Sequence, residues 1–164
     1  MLKKIFLCIC LFTILLNLIG LSQNTNKKSN FEFVGVKKCI TCHKSPKQGK
    51  QNDIWLNSKH SKAYKNLTSK KGLAKAKKLG IADPASNKKC LSCHAPEFDK
   101  KKQWGSKFKI ADGVQCESCH GAGSAYKKKK IMQDQKKAIA NGLIIPGEKT
   151  CLNCHKKNNP EHKG

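Results

Sequence analysis

One five-residue pattern, Cys-x-x-Cys-His, occurs four times in this chain, and no other feature limits its possible folds as strongly. The copies are Cys39, Cys42 and His43; Cys90, Cys93 and His94; Cys116, Cys119 and His120; and Cys151, Cys154 and His155. They hold eight of the ten cysteines in 164 residues, a usage that points to a disulfide scaffold or to metal or cofactor attachment. The other two, Cys8 and Cys10, lie in an apolar stretch from Ile5 to Ile19 that follows Lys3 and Lys4. That stretch reads as a secretory signal, too short to span a bilayer comfortably. Gly20 and Ser22 place cleavage after Ser22, defining a signal peptide at 1–22. An uncleaved N-terminal membrane anchor is the alternative; on both readings the rest of the chain is expected to be periplasmic or otherwise exported. Cleavage leaves every remaining cysteine inside the repeated pattern, with none over for a disulfide or a nucleophilic thiol.

The pattern has a specific chemistry. Two thiols three positions apart on one helical turn can add to two vinyl groups of one porphyrin, while the next residue's imidazole reaches the iron as proximal ligand. Paired Cys-x-x-Cys units also build zinc ribbons, but a ribbon has no use for a histidine after every second cysteine. The reading is therefore four covalently bound haem c groups, each with its iron. Aromatic residues make up only 6% of the chain, too few for a conventional core in a domain of this size. The expected fold is mainly α with long irregular loops, a multihaem c-type cytochrome fold organised around four packed haems and unstable without them.

Along the chain, residues 23–30 are a polar, flexible lead-in and 31–164 a single tetrahaem cytochrome c domain. A helix is expected from about Asp53, with apolar positions at Ile54, Trp55, Ala63, Tyr64 and Leu67, interrupted by Gly72. A second piece, Leu73 to Leu79, should stop at Gly80, and Asp83-Pro84 reads as an N-cap with proline at the first helical position. Residues 97–110 read as loop, and Asp134 to Ala140 as a short helix closed by Asn141-Gly142. The proximal histidines are 51, 26 and 35 residues apart, which rules out a simple tandem array.

The sixth coordination position decides whether an iron only passes electrons or also binds a ligand. Of six histidines, four are proximal, leaving His60 and His162 as metal ligands for four distal sites. Met132 is the only methionine that remains after signal removal. Even if all three ligate, at least one iron lacks a distal His or Met.

Four stretches carry a resemblance: Val34-Gly35-Val36-Lys37-Lys38-Cys39; Trp55-Leu56-Asn57-Ser58-Lys59-His60-Ser61-Lys62-Ala63; Lys78-Leu79 with Asp83-Pro84-Ala85; and Gly113 through Gly123. In combination they resemble the tetrahaem cytochrome c-554 family, the cytochrome c-554 and c-prime domain, over most of residues 33–155. The resemblance implies a helical, haem-packed fold that shuttles electrons between periplasmic redox partners, typically in nitrogen-oxidising metabolism. It also implies that His60 is the distal ligand of the haem of His120, and that the iron of His94 is five-coordinate. Two departures stand out. Lys127 to Lys130 and Met132 occupy the region where the family carries a distal histidine, and the family's C-terminal extension is absent, with His162 an imperfect substitute.

All 34 basic residues are lysines against 10 acids, a formal net charge of +24. Without arginine there is no planar bidentate clamp for phosphate or carboxylate. So positive a surface favours docking to acidic redox proteins or to an anionic membrane surface; nucleic acid is not an expected partner of an exported chain. The favoured function is electron transfer between such partners, with no catalytic residues assigned. The alternative is a small reductase acting on nitric oxide, hydroxylamine or nitrite at an open iron, with Tyr64, Tyr126, a lysine or a carboxylate as proton donor.

Overall fold

The computed structural model describes residues 30–156. The signal peptide with Cys8 and Cys10, nearly all of the lead-in, and His162 lie outside the described residues. Within them the chain is helical, with no strand beyond an isolated parallel bridge between Phe33 and Trp104. Nine α-helices occur: α1 (Val36–His43), α2 (Gln51–Asn57), α3 (Ala63–Leu67), α4 (Lys70–Lys78), α5 (Lys88–His94), α6 (Cys116–His120), α7 (Lys129–Met132), α8 (Gln135–Ala140) and α9 (Glu148–Leu152). None exceeds nine residues, and helices this short are not stable by propensity alone. Their stability has to come from what they pack against and from their caps.

The region expected as one helix from Asp53 to Leu67 is divided. After α2 the backbone turns extended at Ser58, then passes through a 3-10 turn at His60–Lys62 before α3 begins. The serines explain the break. The Ser58 hydroxyl donates to the Trp55 carbonyl at 2.7 Å, and that of Ser61 lies 3.0 Å from the carbonyls of Leu56 and Ser58, so side chains compete with the helical ladder. Gly72 is not the interruption expected of it. It sits inside α4, where its backbone N–H is capped by Ser69; the break falls before it, at Thr68 and Ser69. A side chain at Gly72 would run into the backbone of Asn66 and Leu67, so this glycine permits the close approach of α3 and α4.

Gly80 ends α4 with φ at +67°, as a left-handed residue after a helix does. Asp83-Pro84 forms a turn rather than a helix start: the Asp83 carboxylate accepts the Ala85 N–H at 3.0 Å, and the N-cap of α5 is Asn87, which accepts the Lys89 N–H at 2.9 Å. The short helix α8 follows expectation, capped by Asp134 and closed by Asn141 and Gly142. Residues 97–110 are largely irregular, with one 3-10 turn at Lys101–Gln103 and a second beginning at Ile110.

Two small clusters make up the apolar interior. In one, Phe33 meets Phe108 edge-on at 6.0 Å between centroids, and Trp104 lies 5.0 Å from Phe108; the backbones of Phe33, Gln103 and Gly105 are paired alongside. In the other, Leu67, Leu91 and Ala95 pack with Tyr64, Phe98 and Ile110, joining α3 to α5. Beyond these clusters Ile54, Leu56, Leu73, Leu79, Ile139, Ile144, Ile145 and Leu152 remain exposed.

A buried polar contact joins distant segments. Glu117, inside α6 and only 2% exposed, accepts the backbone N–H groups of Val34, Gly35 and Gly123 at 2.9, 2.7 and 2.7 Å. Gln115 adds to this: its amide oxygen accepts the Val36 N–H, and its amide nitrogen donates to the Lys109 carbonyl. Together they hold the start of α1 against α6.

Two predictions follow from these contacts. Replacing Glu117 by alanine strands three buried donors, each costing about 1–3 kcal/mol, so thermal unfolding should show a loss of about 3 kcal/mol or more; Glu117→Gln, which keeps one acceptor oxygen, should fall between. Gly72→Ala should cost about 1–3 kcal/mol by overpacking. Gly80→Ala meets no atom within 4 Å and should cost only the about 1–2 kcal/mol of a left-handed backbone. Denaturant midpoints would rank the two, and an equal loss at both sites would contradict the close approach of α3 and α4.

Candidate haem-attachment sites

Three of the four motifs lie on helices: the first closes α1, the second closes α5 and the third is α6 itself. The fourth begins in α9 and continues one turn beyond it, where the N–H groups of Cys154 and His155 both bond the Cys151 carbonyl. In each case the two cysteines and the histidine share a turn. Cys39, Cys42, Cys93, Cys116, Cys119, Cys151 and Cys154 are free thiols. Among the described residues the motif side chains form no group of three or more that could share one metal ion, the arrangement a zinc ribbon would require.

The imidazoles show which nitrogen is available. His94 Nδ1 lies 2.6 Å from the Ala63 carbonyl and His120 Nδ1 lies 3.1 Å from that of Ile144. A carbonyl only accepts, so Nδ1 carries the proton and donates, and in the neutral imidazole Nε2 is then the nitrogen that can ligate. That is the tautomer a metal-binding histidine takes when its other nitrogen is held by the protein. His43 Nδ1 is buried with no hydrogen-bond partner among the described residues. Exposed apolar side chains stand beside these groups: Leu152 is within the fourth motif, and Ile144 and Ile145 adjoin the carbonyl that orients His120. Paired thiols and an imidazole on one turn, with apolar surface alongside, fit covalent haem.

Thiols of different motifs approach one another. The Cys39 and Cys116 thiols bear on one another: the interaction with Cys116 and burial push the Cys39 thiol up, while the interaction with Cys39 holds Cys116 down. Burial and then the nearby Cys151 thiol raise Cys119. Cys154, whose thiol lies 3.9 Å from the Ser92 carbonyl, is raised by burial and by the nearby Cys93. Thiols of the first and third, the third and fourth, and the fourth and second motifs are thus electrostatic neighbours.

His60 is held by its backbone. The Trp55 indole donates to the Val114 carbonyl at 2.8 Å, and the Val114 N–H donates to the His60 carbonyl at 3.2 Å. Gly113 lies so close that a side chain there would meet the same carbonyl. The Trp-x-x-Ser-x-His spacing is thus a docking device: tryptophan and histidine grip one residue two positions before the third motif, and Ser58 shapes the turn between them. The His60 ring lies beside His155, with centroids 5.9 Å apart and planes at 69°. Its ring neighbour is thus His155, whereas the family resemblance paired it with the iron of His120. Met132 is half-buried at the end of α7.

Several residues that shape the sites were not singled out from the sequence. Ala63 and Ile144 act through backbone carbonyls, which no side-chain pattern reveals. Glu97 is buried beneath the third motif, where its carboxylate accepts the Ser118 hydroxyl at 3.1 Å, and burial pushes its pKa up. Glu117 is raised by burial and restrained by its three N–H donors. Tyr126, one of the named proton donors, is buried with its hydroxyl committed to the Gly121 carbonyl at 2.7 Å; burial and the nearby Glu117 raise its pKa.

Comparison with known proteins agrees with this chemistry. The family described as cytochrome c554 and c-prime matches residues 38–121, a span that takes in the first three motifs and the Trp55–His60 segment. Cytochrome c-554 of Nitrosomonas europaea is 29% identical over 154 residues, covering 84% of this chain and 63% of the relative. The chain thus spans less than two thirds of that relative's length. No solved structure matches. The family match covers just over half of the chain and includes three of its four motifs, and on that ground the chain belongs to the cytochrome c554 and c-prime family and is a c-type cytochrome that binds haem c covalently.

Proposed function

We propose that this chain is an exported carrier of four haem c groups that transfers electrons between periplasmic or membrane-associated redox partners. The observation that carries the reading is the set of four Cys-x-x-Cys-His motifs, each with its two cysteines and its histidine on one turn of backbone. Bound haem c supplies an iron that takes up and releases one electron. The chain's own residues would attach four such groups, and backbone carbonyls orient two of the proximal imidazoles, those of His94 and His120. Four such groups need no further side-chain chemistry to serve as a carrier.

Charge supports the nature of the partner. The chain carries +24, and the two most deeply buried carboxylates, Glu97 and Glu117, contribute little to its surface. An acidic redox protein, or an anionic membrane surface, complements such a face. Export is supported by the Lys3 to Ser22 signal pattern. Among the described residues no helix is long and apolar enough to cross a membrane.

A second reading, a small reductase of nitric oxide, hydroxylamine or nitrite, rests on the shortage of distal ligands. His60 is the only non-motif histidine among the described residues, so an iron open to exogenous ligands is expected.

The holoprotein should show four haems per chain by pyridine haemochrome and intact mass, and each Cys-to-Ser pair substitution in one motif should remove one of them. Its mature N-terminus should be Gln23. Electron exchange with an acidic redox protein should slow as salt shortens the screening length to about 8 Å at physiological strength; a salt-independent rate would remove the argument from charge. Carbon monoxide titration of the reduced protein should find at least one open iron. Turnover of nitric oxide, hydroxylamine or nitrite well above that of free haem would favour the reductase.

A further inference from the structure

We propose that the outward face of α3 and α4 is a seat for an anionic lipid surface, and that it sets the orientation in which the protein lies on a membrane. The inference rests on the proposed function and deepens it, choosing between two kinds of anionic partner and placing the contact on the molecule. Helices α1, α5, α6 and α9 carry or begin an attachment motif, but α4 carries none. It is nonetheless the longest helix among the described residues, nine residues with five lysines: Lys70, Lys71, Lys75, Lys77 and Lys78. At 3.6 residues per turn those five occupy one arc of about 160°. The opposite side holds Gly72, which lies against the backbone of Asn66 and Leu67, and the buried Ala76. The lysine arc therefore faces outward, and all five lysines are exposed. Leu73 and Leu79 stand at its two edges, 47% and 43% exposed.

The charge is uncompensated over a long stretch. Between Ile54 and Ala82 the chain has eight lysines and no Asp or Glu. Other lysine runs lie closer to acids: Lys100 to Lys102 follow Asp99, and Lys127 to Lys130 precede Asp134. The composition of the face selects its occupant. The cores of protein–protein interfaces are enriched in aromatic residues, Met and Arg and depleted in Lys. From Lys62 to Ala82 the exposed residues are Lys, Leu, Ala, Asn, Thr and Gly, with no aromatic, Met or Arg among them. A headgroup layer needs no such anchors. It is a continuous sheet of negative charge that accepts flexible ammonium groups, while apolar side chains enter the boundary of the acyl region.

The seat is tied to one attachment motif. Leu67 of α3 packs with Leu91 and Ala95 at α5, and the Ala63 carbonyl lies 2.6 Å from His94 Nδ1. The second motif thus lies directly behind α3, and a protein seated through α3 and α4 holds that motif toward the membrane.

The test is co-sedimentation of the mature holoprotein with vesicles of phosphatidylcholine alone and of phosphatidylcholine mixed with phosphatidylglycerol. Two variants remove the same charge from two places: one combines Lys70→Gln, Lys71→Gln, Lys77→Gln and Lys78→Gln, the other Lys127→Gln, Lys128→Gln, Lys129→Gln and Lys130→Gln. Glutamine has nearly the helix propensity of lysine, and haem content and circular dichroism check the fold of each. The parent should bind the anionic vesicles only, and less as salt is added. One lysine at an anionic surface contributes about fivefold in affinity, so the α4 variant should bind at least about tenfold more weakly and the other less than about threefold more weakly. A second readout needs no variant: in the parent, vesicles should suppress acylation of the α4 lysines by a water-soluble succinimidyl ester, mapped by mass spectrometry, and leave Lys127 to Lys130 reactive. Equal losses in the two variants, equal protection of the two runs, or no binding of the parent to anionic vesicles would overturn the seat. Binding of the parent to soluble polyglutamate in place of the vesicles would give the face to an acidic protein and overturn it as well. A protein without four haems would count against the proposed carrier while leaving the vesicle binding and its map in place.

Discussion

Three backbone N–H groups converge on the carboxylate of Glu117, and the mutual placement of the first and third motifs depends on that contact. A buried carboxylate is costly unless its oxygens are satisfied. Here two of the donors come from Val34 and Gly35, immediately before α1, and one from Gly123, just beyond α6. Gly35 has φ at +81° and lies against Lys107 and Phe108 so closely that a side chain would collide. The backbone can therefore present consecutive N–H groups to a single carboxylate. The consequence appears at the attachment points: with α1 and α6 fixed, the Cys39 and Cys116 thiols bear on one another.

This polar framework does work that a hydrophobic core performs elsewhere. The buried apolar residues are few, and large aliphatics such as Ile54, Ile144 and Ile145 remain exposed on the polypeptide. Caps and side-chain bonds define the elements between motifs: Ser69 for α4, Asn87 for α5, Gln115 and Ser118 for α6, Asp134 for α8. Porphyrin faces are the natural complement to the exposed aliphatics, and their burial is the term missing from the polypeptide's own stability.

What could be read from the sequence was local. The motif is complete within five residues, so its chemistry needed no knowledge of the fold, and the Asp134 and Gly80 signals act within one turn of where they stand. Asp83-Pro84 and Gly72 misled because each signal has two structural outcomes. An aspartate before proline suits a tight turn as well as a helix start, and a glycine in a helical run permits close packing as well as a break. The division of the helix after Asn57 escaped for a related reason, since Ser58 and Ser61 look innocuous until their hydroxyls are seen to take backbone carbonyls. The neighbours of each motif, and that of the His60 ring, lie on another level. They depend on contacts across tens of residues, Trp55 to Val114 and Glu117 to Val34, which periodicity cannot show. The Trp-x-x-Ser-x-His segment was visible as a resemblance, but its reason is the shared grip on Val114.

Burial of Glu97 and Glu117 also bears on partners. In a chain with 34 lysines and 10 acids, withdrawing two carboxylates leaves the outer surface more one-sided than the composition suggests. Asp112 is half-buried as well, and Asp134 is matched by Lys137 at 3.0 Å. Few exposed acids remain to pair with lysines across the surface, and isolated surface pairs would contribute little in any case. Under the proposed function the lysines act together as a field for an oppositely charged surface, and such a field raises the encounter rate more than the lifetime of a complex. Fast docking with ready release is what a carrier serving two partners in turn requires, since a complex that outlived the transfer would limit the flow. Interior carboxylates that hold the motifs together and a lysine exterior that brings partners to them are two results of the same distribution of charge.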